Sequence, residues 1–394
     1  MATAAQDIYE TSPAQELYET SVEQAIRARG NGLHWLSYDE LFCEAFREDW
    51  RALACSASEP NPFFEEWFLL PSLAQFDLSD RVQVAALYAN GQLRGLLPVG
   101  HSHAYYGYLM PHASTWLHAN AFCGSPLIAR GFERAFLREL LRSLDDHPNG
   151  ALFLHLPAIP EGSQVERALE AVLAEKDRPA GVVAQEERAL LRSELSSSAY
   201  YEDSLTKKRR KELARLRKRL GEEGELTFER QSGKRALGDW IDEFLSLEAA
   251  GWKGQAGSAI ASARDTEYMF RGALHGAARA GKLERLALRI DGKPVAMLVN
   301  FITPPGAFSF KTAYDERFGR YSPGFLLQQE NLELLDRGDI AWCDSCAAEG
   351  HPMIERIWRQ KRTMLGRNIA IGGGIRRRIF ERLLRAETKK DPQA

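Results

Sequence analysis

The sequence predicts an α/β (α+β) protein of two similar units in tandem, each a mixed, mostly antiparallel sheet flanked by helices. Three observations predict it. Stretches of alternating apolar residues are interleaved with stretches at helical spacing along the 394-residue chain, the pattern of mixed sheet-and-helix proteins. Two alternating stretches turn at Asn90-Gly91 and Asp291-Gly292, a strong hairpin signal because both central residues of a type I′ turn need positive φ. The glycines of these turns lie 201 residues apart, and each hairpin stands at the same point in one repeated order. That order is two helices, the hairpin, further extended sequence, a helix, a strand and another helix. Identity between the halves is low, so architecture repeats and not a short motif.

Residues 1–30, polar and with two Tyr-Glu-Thr copies, read as a weakly ordered leader. The first unit spans 31–198. Residues 37–55 set Leu41, Phe42, Ala45, Phe46 and Trp50 near helical spacing behind a Ser37 cap, and Asn61-Pro62 breaks this helix before a second, apolar one. Val82–Val99 is the first hairpin, and His101–Phe122 reads as an aromatic, packed loop. A helix over Phe132–Leu144, a strand over Ala151–Leu156 and a helix over Ser163–Glu175 follow, and a Ser-rich stretch at 193–198 closes the unit. The second unit, 199–375, opens with a basic helix over Leu205–Leu220 and two more over Ala236–Ala249 and Thr266–Ala280. After the second hairpin come a strand over Phe308–Ala313, a helix over Pro323–Arg337, a strand over Ile340–Cys343 and a helix over His351–Gln360. Residues 376–394 form a basic tail beyond the turn Gly372–Gly374.

Composition is globular, with 44% apolar and 27% charged residues, and the net charge of −3 gives no global basic field for DNA or an anionic membrane. No apolar run is long enough for a membrane span, and the N-terminus lacks the basic-then-apolar order of a secretory signal. Five cysteines, few and odd in number, fit free thiols in a reducing cytoplasm. Cys343 and Cys346 read as core thiols, because no second pair exists to complete a metal site. No metal is expected.

The most informative stretch is Ser309–Asp339, a strand, a tight basic loop and a helix opening at Ser322-Pro323-Gly324. The first turn of a helix offers unpaired N–H groups and the positive end of its dipole, and so makes an anion site. Ser322 suits the N-cap, Pro323 the first helical position, and Gly324 lets a ligand approach the backbone. Arg317 and Arg320 stand ready to pair with phosphate.

The segments KKRRKELARLRKRL, LEAAGWKGQAGSAI, IDGKPVAM and FKTAYDERFGRYSPGFLLQQENL, with the strand ending in Asp344, together cover roughly residues 200–365. Their order resembles the GNAT acyltransferase superfamily, and specifically its Fem-like and CelD-like (BcsL-like) branch, in which two GNAT-like units lie in tandem. The resemblance implies an N-acyltransferase that moves an acyl group, acetyl first, from acyl-CoA to an amine of a sugar, cell-envelope precursor or related metabolite. Acetyl-CoA or another acyl-CoA is then a co-substrate. Two alternatives stay open: a Fem-like transferase that takes its group from aminoacyl-tRNA, and a non-catalytic GNAT-like protein that binds a nucleotide or second messenger. The sequence departs from simple GNAT enzymes at Arg320-Tyr-Ser-Pro-Gly324, where one glycine of the usual phosphate loop remains and Pro323 has no N–H.

Acyl transfer to an amine needs a neutral amine, a donor for the developing oxyanion and a proton for the departing thiolate. The candidate catalytic residues are Asp344, at the end of the strand beside the opening strand, Asp315, just before the loop, and Tyr314 as an acid. Arg317, Arg320, Ser322, Gly324 and Phe325 are the donor-binding candidates. Trp252, Lys253, Lys311 and Glu248 are the acceptor-binding candidates. Lys311 is expected on one face of its strand, opposite Phe310 and Thr312. The basic helix 207–220 carries nine Lys or Arg against one Glu and fits phosphate-rich partners, tRNA among them. The first unit, which has no helix directly after Gly124-Ser-Pro126, is expected to form a wall of the acceptor site.

Overall fold

The computed structural model describes residues 24, 26, 28–79 and 81–390. The leader read over residues 1–30 therefore lies almost wholly outside the described residues. The first half runs β1 (Gly32–Leu36), α1 (Glu44–Ser56), α2 (Glu66–Phe76), β2 (Gln83–Ala89), β3 (Gln92–Tyr105), β4 (Tyr108–Thr115), β5 (Leu127–Ile128), α3 (Glu133–Asp146), β6 (Phe153–Pro160), α4 (Gln164–Ala174) and β7 (Ala180–Leu191). The second runs α5 (Ser197–Ser204), α6 (Lys207–Leu220), β8 (Leu226–Ser232), α7 (Leu237–Ala250), a single helical turn Trp252–Gln255 and α8 (Arg264–Arg279). It continues with β9 (Leu283–Ile290), β10 (Lys293–Thr303), β11 (Gly306–Tyr314), α9 (Pro323–Asn331), β12 (Trp342–Asp344), β13 (Gln360–Ala370) and α10 (Gly374–Lys390).

Local chemistry accounts for the elements that were read correctly. Both hairpins turn with positive φ at each central residue, 55° and 69° at Asn90-Gly91 and 47° and 76° at Asp291-Gly292. Ser163 and Thr206 cap α4 and α6 by accepting from Glu166 and Arg209 N–H groups. Other expectations are corrected. The aromatic stretch after His101 is mostly strand, because β3 runs on to Tyr105 and pairs with β4. The helix expected over His351–Gln360 is a single 3-10 turn, Ile354–Arg356. The tail is helical from Gly374 to Lys390 (α10), and its Phe380 is buried against Tyr105, Phe153 and Ala370.

The two expected sheets are one. Strand order is β1-β2-β3-β4-β6-β13-β7-β12-β11-β10-β9-β8, with β5 beside β3. Most neighbours are antiparallel; β4 with β6 and β11 with β12 are parallel. If each strand of the first half is matched to its counterpart in the second, the order reads as a palindrome about β7 and β13. The last strand of each half has crossed into the other: β13 pairs with β6, and β7 pairs with β12. A cut at 198/199 thus leaves β7 on one side and β13 on the other.

One core spans both halves on one face of the sheet, with Phe63, Phe68, Phe301, Phe308 and Phe310 at its centre. Phe310 meets Phe301 at 4.7 Å and Phe68 at 5.8 Å between ring centroids, a packing that ties β11 to α2. A second core beneath α5, α6 and α9 covers the other face of the second half.

Candidate functional site

β11 and β12 run parallel only from Gly306 to Phe308 and from Trp342 to Asp344, after which they part. A cleft of about 810 Å³ opens where they diverge. Ser309, Phe310, Lys311, Thr312 and Tyr314 line one wall, and Ser345–Ala348, with His351 and Met353, line the other. The first turn of α9, Ser322–Phe325, closes one end together with Arg209 of α6. Ala119 and Phe122, from the loop after β4, and Trp252 with Lys253 complete the rim.

β11 carries a bulge: Val299 pairs with Lys311 and Asn300 with Ser309, leaving Phe310 as the extra residue. The bulge cancels the alternation expected of a flat strand. Lys311 therefore does not lie opposite Phe310; its Nζ sits 5.5 Å from the Phe310 ring centroid and 5.2 Å from that of Phe122. Burial, and next the Lys253 ammonium, push the Lys311 pKa down to about 8. Lys253 donates to Glu248 at 2.7 Å and approaches the Thr312 carbonyl at 3.5 Å. The other Glu248 oxygen accepts from the Ile260 N–H at 2.8 Å.

The sequence candidates divide. Tyr314, Ser322, Gly324, Phe325, Trp252, Lys253 and Lys311 meet in the cleft. Glu248 lies buried behind Lys253 and acts on the cleft through it. Asp344 is also buried and does not line the cleft. It accepts from Arg362 at 3.1 Å and from the Cys346 N–H at 2.9 Å, and Arg188 stands 3.7 Å away. Its carboxylate is occupied in holding β12 to β7 and β13. Arg188 also donates to the Phe122 carbonyl at 2.7 Å, so one guanidinium braces both walls.

Asp315 accepts from the Arg317 N–H at 3.0 Å and grips its guanidinium, which holds the Asp315 carboxyl below its ordinary value. Both line a separate groove of similar size with Asp242, Glu243 and Lys293. Arg320 is paired with Glu223 at 2.9 Å and stacks on Tyr321.

The anion site at α9 is also less open than its sequence suggests. Ser322 is the N-cap residue but has φ 54° and makes no side-chain cap. Its carbonyl takes the Phe325 and Leu326 N–H groups, at 3.0 and 3.1 Å. Pro323 has no N–H. A Cβ on Gly324 would meet the Met353 sulfur at 2.8 Å, so a thioether already fills the space that glycine leaves.

Reading the sequence did not single out Phe122, Arg209, His351 or Arg356, all of which line the cleft. Arg209 is one of nine basic residues in its helix, and nothing in the run distinguishes it. It stacks over Phe325 at 5.4 Å and pairs with Glu212. His351 Nδ1 is buried without a partner, and burial, then Lys253, lowers the pKa of the ring. Cys343 and Cys346 are both buried, with their thiols pushed well up in pKa. Among the described residues that line the cleft there is no Asp or Glu.

Residues 207–351 match the family model described as acetyltransferase (GNAT) domain. A crystal structure of FemX has the same overall fold, at 10% identity over 82% of this chain and 96% of that one, with a TM-score of 0.57. A conserved protein of unknown function from Bacteroides thetaiotaomicron VPI-5482 is similar at 16% identity over 83% of this chain and 96% of that one, with a TM-score of 0.50. No curated protein matches the chain in sequence.

Proposed function

We propose that this protein, residues 207–351 of which match the acetyltransferase (GNAT) domain model, is an N-acyltransferase that moves an acyl group from acyl-CoA to an amine by direct attack. The observation that carries the reading is the parting of β11 and β12 around a cleft of about 810 Å³ with a bulged strand along one wall. A bulge frees a residue from the ladder, and a strand N–H released there is a donor for the oxyanion of the tetrahedral intermediate. The amine nitrogen attacks the thioester carbon, the C–S bond breaks, and Tyr314, on the same wall, gives its proton to the thiolate. His351, held neutral by burial and by Lys253, takes the proton that the amine loses. Asp344 and Glu248 position the cleft and do not enter it. Phe122, from the first half, walls the acceptor side.

Release of free thiol from acetyl-, succinyl- and longer acyl-CoA over a panel of amines tests this, alongside calorimetric binding of the same donors. Binding with turnover is expected; neither binding nor thiol release with any donor overturns the acyl-CoA reading. In the same assay, His351→Gln is expected to lower kcat about a hundredfold and to remove the acid limb of the pH profile. An unchanged profile clears His351 of that role.

A second reading is favoured by α6. Lys207, Lys208, Lys211, Arg215 and Lys218 are exposed on the helix that brings Arg209 to the cleft, while Arg317 and Arg320 are held by carboxylates. These observations support an aminoacyl-tRNA as donor. Transfer from charged tRNA in the absence of acyl-CoA would establish it.

A further inference from the structure

The cleft is built for a negative charge. Lys253 has its counterion, because Glu248 lies 2.7 Å from it. Both Glu248 oxygens are thereby used, one by Lys253 and one by the Ile260 N–H. Lys311 is half-buried and has only the faces of Phe122 and Phe310. Among the described residues, its ammonium makes no hydrogen bond and no ion pair. An ammonium half-buried against two aromatic rings without a counterion is costly, and folded proteins tend to pair such groups. Arg356 adds positive charge at the rim, where Arg209 is paired with Glu212, and among the described residues no carboxylate lines either wall.

We infer that Lys311 is the seat of a carboxylate on one of the two substrates, so that the cleft selects an acidic acyl group or an acidic amine over its neutral counterpart. The inference rests on the acyl-transfer reading of the same cleft. A carboxylate bound there completes the pair that the fold leaves open, and the rings of Phe122 and Phe310 exclude water from it, which strengthens the contact. The charge on Lys311 is therefore the specificity element. It is set by the groups that face it: Lys253 on the turn after α7, Glu248 on α7, Cys346 after β12, and His118 in the loop after β4. His118 is neutral, its pKa lowered to about 4 by burial and then by Lys311, and the Cys346 thiol is protonated. Lys311 is thus the group here that titrates near pH 8.

The test compares matched pairs on the intact protein. Succinyl-CoA is set against butyryl-CoA as donor, and β-alanine against its amide as acceptor, each scored by kcat/KM for thiol release. One pair is expected to favour the carboxylate member at least about tenfold, and which pair does so identifies the source of the charge. The ratio should fall as pH rises through about 8, where Lys311 loses its proton, and should collapse toward one in Lys311→Met whatever the absolute rates. If that variant does not fold, the pH dependence of the wild-type ratio decides alone. Equal use of both members of both pairs at every pH overturns the inference and leaves acyl transfer standing. Succinate that binds with proton uptake at pH 8, in a protein that releases thiol from no donor, upholds the anion seat and overturns acyl transfer.

Discussion

Asp344 shows how a residue governs a site without touching it. Its carboxylate joins Arg362 of β13, the Cys346 N–H on the cleft wall and Arg188 of β7, which in turn holds Phe122. Asp344→Asn leaves the buried Arg188 and the half-buried Arg362 short of a counterion. It is expected to cost about 3–5 kcal/mol, measured by urea denaturation. Lys311 has the opposite sign. Its folded pKa of about 8 lies below the ordinary 10.5, so between these values the unfolded chain binds the extra proton and stability rises with pH. Lys311→Met should therefore raise the denaturation midpoint at pH 7, with the gain shrinking as pH rises from about 8 to 10.5. A midpoint difference that does not change with pH would contradict this. Both residues stand out in the sequence by type and place, since each lies at or near the end of a strand in the parallel pair. It did not disclose that Asp344 is spoken for, because Arg188 and Arg362 lie 156 residues before it and 18 after.

At the scale of elements, the cleft depends on a strand irregularity and a single helical turn. The bulge sets Lys311 beside Phe310, and no period-2 reading of SFKTAY contains that shift. The turn Trp252–Gln255 carries Lys253 to Glu248 and packs so tightly on α7 that a Cβ at Gly254 would fall 1.8 Å from the Ala249 carbonyl oxygen. Gly254→Ala should push the turn away, costing about 1–3 kcal/mol, and should raise KM more than it lowers kcat. Equal effects on both would show that the turn does not hold substrate. Helices and hairpins were legible because capping and turn chemistry are local. β7 and β13 were not. Both are rich in charge, with Glu186, Glu187 and Arg188 in one and Lys361, Arg362 and Arg367 in the other. Strands in mid-sheet usually carry apolar runs. Here the charges are tolerated because partners await them: Arg362 has Asp344, and Arg367 has Glu166 and Glu170.

At the scale of the whole molecule, the repeated order of elements was legible and the exchange of β7 and β13 was not, because pairing across the centre of a sheet leaves no local trace. The exchange makes the halves interdependent. Residues 31–198 and 199–394 produced separately should each lack a cooperative unfolding transition, and produced together they should recover one, as read by circular dichroism. A half that melts cooperatively alone would contradict this. The exchange also has a temporal meaning. A chain made from its N-terminus finishes β6 at Pro160 but does not begin β13 until Gln360, 200 residues later. At about 5–20 residues per second, β6 waits roughly 10–40 s on the ribosome with an open edge. Its sequence suits that wait. Pro157 sits at the irregularity opposite Leu365 and Arg367, and Pro160 ends the strand; neither offers an N–H to a passing strand from another nascent chain.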